Sequence, residues 1–113
     1  MKLSPITNVY IAIGPTDMRK SINGLSSIVA EVFELDIFSG NLFAFCNRKR
    51  DIIKILFWDK NGFCIWQKRL EEERFFWPYS EQEVVKIDSR QMDWLLSGLD
   101  INKAHKRLTY SEI

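Results

Sequence analysis

A single stretch of helical periodicity, residues 18 to 33, stands between segments of strand periodicity and restricts the choice of fold. Its apolar side chains recur at intervals of three and four residues, which places them on one face of an α-helix. They are Met18, Ile22, Leu25, Ile28, Val29, Val32 and Phe33. Thr16 or Asp17 is a suitable N-cap. Because a helix with one apolar face must bury it, the stripe predicts a long helix packed on a sheet.

Strand patterns lie on both sides of this helix. Val9, Ile11 and Ile13 alternate with other residues and stop at Gly14-Pro15. Further on, the pattern predicts strands over 42–47 and 52–58 flanking the hairpin tip 48–51, and a strand over 63–70 after an Asn61-Gly62 turn. Residues 75–77 indicate a short extended piece, and 84–87 a last strand.

The last element that the sequence predicts is a short helix. Asp88 or Ser89 is its N-cap, Gln91 completes a capping box, and Gly98 is placed to end it, with Met92, Leu95, Leu96 and Leu99 on one face. The prediction is one α+β domain over residues 6–100, followed by a basic, flexible tail, 101–113. Its mostly antiparallel sheet has four to six strands in the order β-α-β-β-β and then a helix, with one long helix and one short C-terminal helix.

Composition permits a core without covalent support. With 113 residues, 46% hydrophobic and 27% charged, the chain has enough apolar surface to fold without disulfides or a structural metal. Cys46 and Cys64 have no CxxC spacing, so free buried thiols are expected, with a disulfide as the alternative if they fall on neighbouring strands. No apolar leader or membrane-length run is present, which favours the cytoplasm.

Charge is segregated along the chain although its net value is only +1. Residues 41–69 contain seven basic groups and two acids, and an acidic stretch that includes Glu71, Glu72 and Glu73 follows. Basic groups on a two-stranded ribbon are suited to phosphate. The candidate nucleic-acid contacts are Arg48, Lys49, Arg50, Lys54, Lys68 and Arg69, with Arg19 and Lys20 at the strand-to-helix junction.

Two alternatives stay open for this basic set. The same charges explain a solvated sheet edge that resists aggregation, with ordinary capping at the junction. The surface also depends on register. A two-residue Asn61-Gly62 turn puts Lys54 and Trp58 on one face with Arg69, whereas a three-residue loop puts Lys54 beside Lys68.

Aromatic residues supply a second kind of candidate site. Tryptophan in a small domain is core by default, but Trp58 and Trp77 are candidates for anchoring a protein partner. Catalysis has little support, since the single histidine, His105, lies in the expected tail and neither cysteine has a histidine nearby in sequence. We expect no enzyme activity, metal or cofactor. A cryptic metal-dependent nuclease built on the aspartates is the least favoured alternative.

Four motifs occur in series within residues 8 to 100. They are Thr16-Asp17-Met18-Arg19-Lys20, Phe38-Ser39-Gly40-Asn41-Leu42-Phe43-Ala44-Phe45, Lys54-Ile55-Leu56-Phe57-Trp58-Asp59-Lys60-Asn61-Gly62, and Lys68-Arg69-Leu70-Glu71 continuing to Trp77-Pro78. In order and spacing the chain resembles the accessory proteins called TnpB, the second open reading frame product of the bacterial insertion-sequence family numbered sixty-six. Glu73 stands where that family often has glycine, and Phe57 where tryptophan is common.

The resemblance implies a non-catalytic accessory protein for DNA transposition. In that family a separately encoded transposase carries the acidic catalytic triad. We expect the protein to bind this transposase, double-stranded DNA at the transposon ends, or both. A pure protein adaptor of the transposase without DNA contact is the alternative. The sequence leaves the oligomeric state open.

Overall fold

A computed structural model describes residues 3–101 of the chain. The strands are β1 (Val9–Ala12), β2 (Leu42–Cys46), β3 (Ile52–Asp59), β4 (Gly62–Arg69) and β5 (Val84–Ile87), and the helices are α1 (Ile22–Ser27), continued by a π-helical segment (Ile28–Val32), and α2 (Ser89–Leu96). Most of the predicted tail and His105 lie outside the described residues. Ile101, the first residue of that predicted tail, is buried against the core.

The strands form one sheet in the order β4-β3-β2-β1-β5. β1 and β2 are parallel because α1 crosses between them, and the other three pairings are antiparallel. The predicted α+β class and mostly antiparallel sheet are confirmed. Residues 75–77 join no strand, but Phe75 is only 2% exposed and packs under the sheet.

Both faces of the sheet are covered, so the molecule has three layers. One face carries α1 and its continuation over Phe43, Phe45 and Leu56. The other carries α2 and Phe75 over residues that include Ile53 and Ile55. Every residue of the central strand β2 is buried, as expected for a strand covered on both sides.

The first helix is shorter than its apolar stripe predicts. α1 begins after Ser21, because Asp17 forms a turn instead of capping: its carboxylate accepts from the backbone N–H and the guanidinium of Arg19. The expectation of a helix starting at Thr16 or Asp17 was therefore wrong. Lys20 N–H also bonds to the Asp17 carbonyl, which closes this turn.

The helix then widens into a π-helix. Phe33 N–H donates to the carbonyl of Ile28, five residues earlier. In an α-helix it would donate to the carbonyl of Val29, four residues earlier. The extra residue in the turn rotates the end of the helix, so Val32 is 51% exposed while Val29 is fully buried. The prediction that Val32 shares the buried stripe was wrong for this reason.

The second helix has the predicted ends. The Asp88 carboxylate accepts from Gln91 N–H at 2.7 Å, and the Gln91 side chain accepts from Asp88 N–H at 3.0 Å. At the other end Gly98 has φ +81°, and Leu99 N–H bonds to the Trp94 carbonyl, which is the Schellman arrangement. Because the helix stops there, Leu99 leaves the apolar face and is 43% exposed.

The turn between β3 and β4 lies one residue earlier than predicted. Asp59 pairs with Gly62, so Lys60 and Asn61 form the turn, and Lys60 adopts φ 52°. Lys54 still shares a face with Trp58 and Arg69, as the two-residue turn predicted, but its direct partner is Gln67. The three-residue alternative, with Lys54 beside Lys68, does not occur.

Candidate nucleic-acid interface

The loop joining β2 and β3 presents Arg48, Lys49 and Arg50, which we call the basic tip. Asn47 holds this loop from inside: its Oδ1 accepts from the N–H groups of Asp51 and Ile52 at 3.0 and 3.1 Å. Its Nδ2 donates to Asp51 Oδ1 at 2.7 Å, and this hydrogen bond is the main reason that the pKa of Asp51 is lowered. The Asp51 carboxylate is thus hydrogen-bonded by Asn47, and the nearby charge of Lys49 lowers its pKa as a smaller cause.

The side chains of the basic tip point into solvent. All three residues are exposed, and within residues 3–101 none of them forms an ion pair. Arg50 has φ 61°, a left-handed conformation that narrows the turn, and its carbonyl accepts from Phe75 N–H at 2.7 Å. The tip therefore combines exposed positive charge with a backbone held by hydrogen bonds.

Lys54 and Lys68 are committed to the fold. Lys54 Nζ donates to the carbonyls of Met18 and Lys20 at 2.7 and 3.0 Å, which ties β3 to the turn before α1. On the opposite face, Lys68 Nζ donates at 2.6 Å to the carbonyl of Leu96, the last residue of α2. A cation at a helix C-terminus is electrostatically favourable. Each lysine thus fastens one outer layer to the sheet.

The remaining predicted cations differ in whether they form an ion pair with an acidic side chain. Arg19 forms an ion pair with Asp17 at 2.7 Å, and its hydrogen bonds lower the pKa of that carboxyl to about 2. Arg69 pairs with Glu71 at 3.2 Å. Lys20 is exposed and has no ion pair within the described residues. Arg19 and Arg69 therefore lie beside acids that offset part of their charge.

All eight predicted cations lie toward the same end of the sheet. The parallel strands β1 and β2 both end there, joined by the hydrogen bond from Thr16 N–H to the Cys46 carbonyl. Antiparallel pairing brings the start of β3 and the end of β4 to the same place, since Ile52 is opposite Arg69. The carboxyl ends of parallel strands are a common position for ligand sites. The structure thus brings together the residues that the sequence separates.

The two candidate tryptophans lie at opposite ends. Trp58 is half-buried in an aromatic cluster with Phe38 and Phe63, with ring centroids 5.1 and 5.0 Å from its own. Trp77 lies near the basic tip, where its indole Nε1 donates to the Ala12 carbonyl at 2.8 Å. They therefore do not form one partner surface.

Tyr79 is a residue that the sequence reasoning missed. It is 88% exposed and lines a groove of about 270 Å³ together with Arg48, Arg50, Trp77 and Pro78. The signal in the sequence was the proline between two aromatic residues, which favours an extended backbone beside Trp77. We call this cavity the tip groove.

The other polar candidates show no catalytic arrangement within residues 3–101. No three or more His, Cys, Asp or Glu side chains in that range lie close enough to hold a metal ion. Cys46 and Cys64 are free thiols on β2 and β4, which β3 separates, so the disulfide alternative was wrong. Burial raises the pKa of Cys46 to about 12. No described helix is long and apolar enough to cross a membrane.

Comparison with known proteins matches most of the chain to one family. The model of the family described as "IS66 Orf2 like protein" matches residues 7–106. Two proteins of Sinorhizobium fredii are similar: the uncharacterized protein y4hO is 41% identical over 92 residues, 81% of this chain and 80% of the relative. The uncharacterized protein y4jC is 25% identical over 99 residues, 88% and 85% of the two chains. No solved structure matches. The chain therefore belongs to the IS66 Orf2-like family, the TnpB accessory proteins of insertion sequences.

Proposed function

We propose that this accessory protein binds double-stranded DNA at the transposon ends through the basic tip, and that it is not itself catalytic. The observation that carries the proposal is that Arg48, Lys49 and Arg50 are exposed and free of ion pairs within the described residues, on a loop fixed by Asn47. Because the backbone of the tip is already fixed, the tip would lose little conformational entropy on binding phosphate. The bond-breaking chemistry belongs to the separate transposase, and the setting is the bacterial cytoplasm.

The remaining cations would contribute unequally. Lys20 adds an exposed charge without an ion pair within the described residues. Arg19 and Arg69 are already paired with Asp17 and Glu71 and would have to share their guanidinium groups with phosphate. Lys54 and Lys68 already donate to backbone carbonyls, so their role in binding is indirect. Phosphate contacts of this kind position a protein on DNA without reading its sequence.

A salt titration with a duplex carrying the element's terminal repeat tests this proposal. The variant Arg48→Gln, Lys49→Gln, Arg50→Gln keeps a polar side chain at each position and removes the charge. Each lost phosphate contact lowers the slope of log K against log salt by about 0.9, so we expect a decrease of about 2.7 and much weaker binding at low salt. The matched control replaces Lys60, Lys86 and Arg90, which are exposed and lie away from the tip, with glutamine.

We expect the control variant to bind the duplex as tightly as the unmodified protein does. Only then does a loss in the tip variant identify the tip as the DNA contact. An equal loss in both variants would show that net charge alone matters. Unchanged binding in the tip variant, or no binding by the unmodified protein at low salt, would refute the proposal.

The aromatic cluster favours a second candidate, an adaptor that binds the transposase without DNA. Phe38 is 57% exposed and lies on Trp58 and Phe63, at the end of the sheet away from the basic tip. Exposed aromatic side chains often dominate protein interfaces. Such a contact would leave the basic tip free, so the adaptor and DNA-binding roles are compatible.

Retention of this protein by immobilised, purified transposase in nuclease-treated buffer tests the adaptor role. We expect Phe38→Ala to weaken retention, and Phe76→Ala, which removes a ring of similar exposure elsewhere, to leave it unchanged. Equal retention of Phe38→Ala and the unmodified protein would exclude the cluster as the contact.

A further inference from the structure

The tip groove has one basic wall and one aromatic wall. Arg48 and Arg50 of the basic tip form the first, and Trp77, Pro78 and Tyr79 form the second, with Cys46 among the lining residues. No acidic side chain lines it within the part of the chain that the structure describes. A suitable occupant therefore combines negative charge with a flat apolar surface.

The backbone segments that carry both walls are held in place before anything binds. Phe75 is buried and its N–H donates to the Arg50 carbonyl at 2.7 Å, which joins the aromatic segment directly to the tip. Two residues later the Trp77 indole donates to the Ala12 carbonyl at 2.8 Å. The fold thus sets the separation between the backbone of the arginines and the segment that carries Trp77 and Tyr79.

Packing and hydrogen bonding within the fold do not explain why an aromatic side chain stands at position 79. Tyr79 is 88% exposed, and within residues 3–101 no ring contact or side-chain hydrogen bond holds it. An exposed ring beside two unpaired arginines resembles the arrangement by which proteins hold single-stranded nucleic acid, with bases stacked on aromatic rings and phosphates on cations. Within an intact duplex the bases already stack on each other on both faces, so an unpaired base is better able to stack on such a ring.

We propose that the tip groove holds an unpaired nucleotide of a DNA strand, with its base against Tyr79 and Trp77 and its phosphate on Arg48 and Arg50. This inference rests on the proposed DNA-binding function, because the two share these arginines. It adds a preference for DNA ends with unpaired bases over intact duplex. Trp77, first considered as a protein anchor, becomes part of a stacking surface.

Binding to a blunt duplex and to the same duplex with a short single-stranded overhang tests the inference. A 2-aminopurine at the first unpaired position reports stacking by its fluorescence. Stacking of one base corresponds to about a tenfold change in affinity. We therefore expect tighter binding of the overhang, with a change in 2-aminopurine emission, and about a tenfold loss of overhang affinity in Tyr79→Ala. Blunt-duplex affinity should not change.

Two further variants sharpen the test. Tyr79→Phe keeps the ring and should retain overhang binding, whereas Phe76→Ala removes an exposed ring that does not line the tip groove and should leave overhang affinity unchanged. Equal overhang binding by Tyr79→Ala and the unmodified protein would overturn the inference. So would loss of transposase retention in Tyr79→Ala without any change in DNA binding, which would make the groove a protein contact.

The two proposals can fail separately. If the tip variant loses duplex binding and Tyr79→Ala binds both DNAs normally, the DNA-binding function stands and the groove inference fails. If the tip variant binds blunt duplex normally, the proposed function itself fails.

Discussion

At the scale of single residues, the lysines of this protein have different roles. The role of each depends on what its side-chain nitrogen contacts. Lys54 and Lys68 donate to backbone carbonyls at the ends of two helical layers, whereas the exposed side chain of Lys49 forms no hydrogen bond or ion pair within residues 3–101. A charged nitrogen already engaged in hydrogen bonds must give them up to bind phosphate. The charge of a residue thus says less about binding than its existing partners do.

The pair formed by Asp17 and Arg19 gives a prediction at this scale. The pKa of Asp17, lowered from 3.8 to about 2 mainly by hydrogen bonds from Arg19, should return toward 3.8 in Arg19→Ala. A carboxyl whose pKa is lower in the folded state stabilises the fold above its unfolded pKa. This contribution is lost as the pH falls through the folded pKa, between about 4 and 2. Carboxyl NMR titration measures the shift.

Arg69→Ala is the matched control for that titration, because it breaks another exposed ion pair, the one with Glu71. Asp17 should still titrate near 2 in this control. An Asp17 pKa near 2 in Arg19→Ala would contradict the assigned cause.

At the scale of elements, neither helix is long enough to be stable by itself. α1 has 6 residues and α2 has 8, well below the roughly 12–15 that an isolated helix needs. α2 compensates with a capping box and a glycine C-cap, while Ser21, at the start of α1, makes no side-chain capping bond. The stability of α1 must therefore come from packing and from the Lys54 contacts that precede it.

The π-helical segment predicts different costs for two valines three residues apart. Val29 is fully buried and Val32 is 51% exposed. We expect Val29→Ala to lower the free energy of unfolding by about 2 kcal/mol and Val32→Ala to change it by about 0.5 kcal/mol or less. Urea denaturation measures both. Similar losses in the two variants would mean that a regular α-helix, with both valines on one buried stripe, is the correct structure.

At the scale of the whole molecule, a sheet covered on both faces couples two hydrophobic cores. Leu56 faces the α1 layer, and its neighbour Ile55 faces the α2 layer. The two ends of the sheet also differ: cations gather where β1 and β2 finish, and the Phe38 cluster lies at the other end. The fold therefore keeps the proposed DNA surface and the alternative protein surface apart.

The shared sheet predicts that damage to either face unfolds the molecule as a unit. Leu56→Ala and Ile55→Ala should each cost about 2–5 kcal/mol, because both side chains are fully buried. In urea, tryptophan fluorescence and far-UV circular dichroism should give coincident transitions with an unchanged m-value. Gln67→Ala, an exposed position on β4, is the control. Separate transitions for the two probes would show that the layers unfold independently.

Much of this molecule is determined by local patterns in its sequence. Strand positions, the hairpin tip, the caps of α2 and membership of the TnpB family depend on alternation, turn residues and ordered motifs over short distances. The basic tip belongs to this group, since four residues between two strand patterns already indicate a turn. The DNA contacts assigned to it remain a prediction.

Only the tertiary structure decided where α1 begins, which strands are neighbours and which cations are free. Asp17 had two acceptable uses, as a helix cap or as a partner for Arg19, and local propensity does not choose between them. The groove beside Tyr79 joins residues about 30 positions apart, through a backbone bond from Phe75 to Arg50. Periodicity describes one segment at a time, whereas burial and hydrogen-bond partners depend on segments that meet only after the sheet has formed.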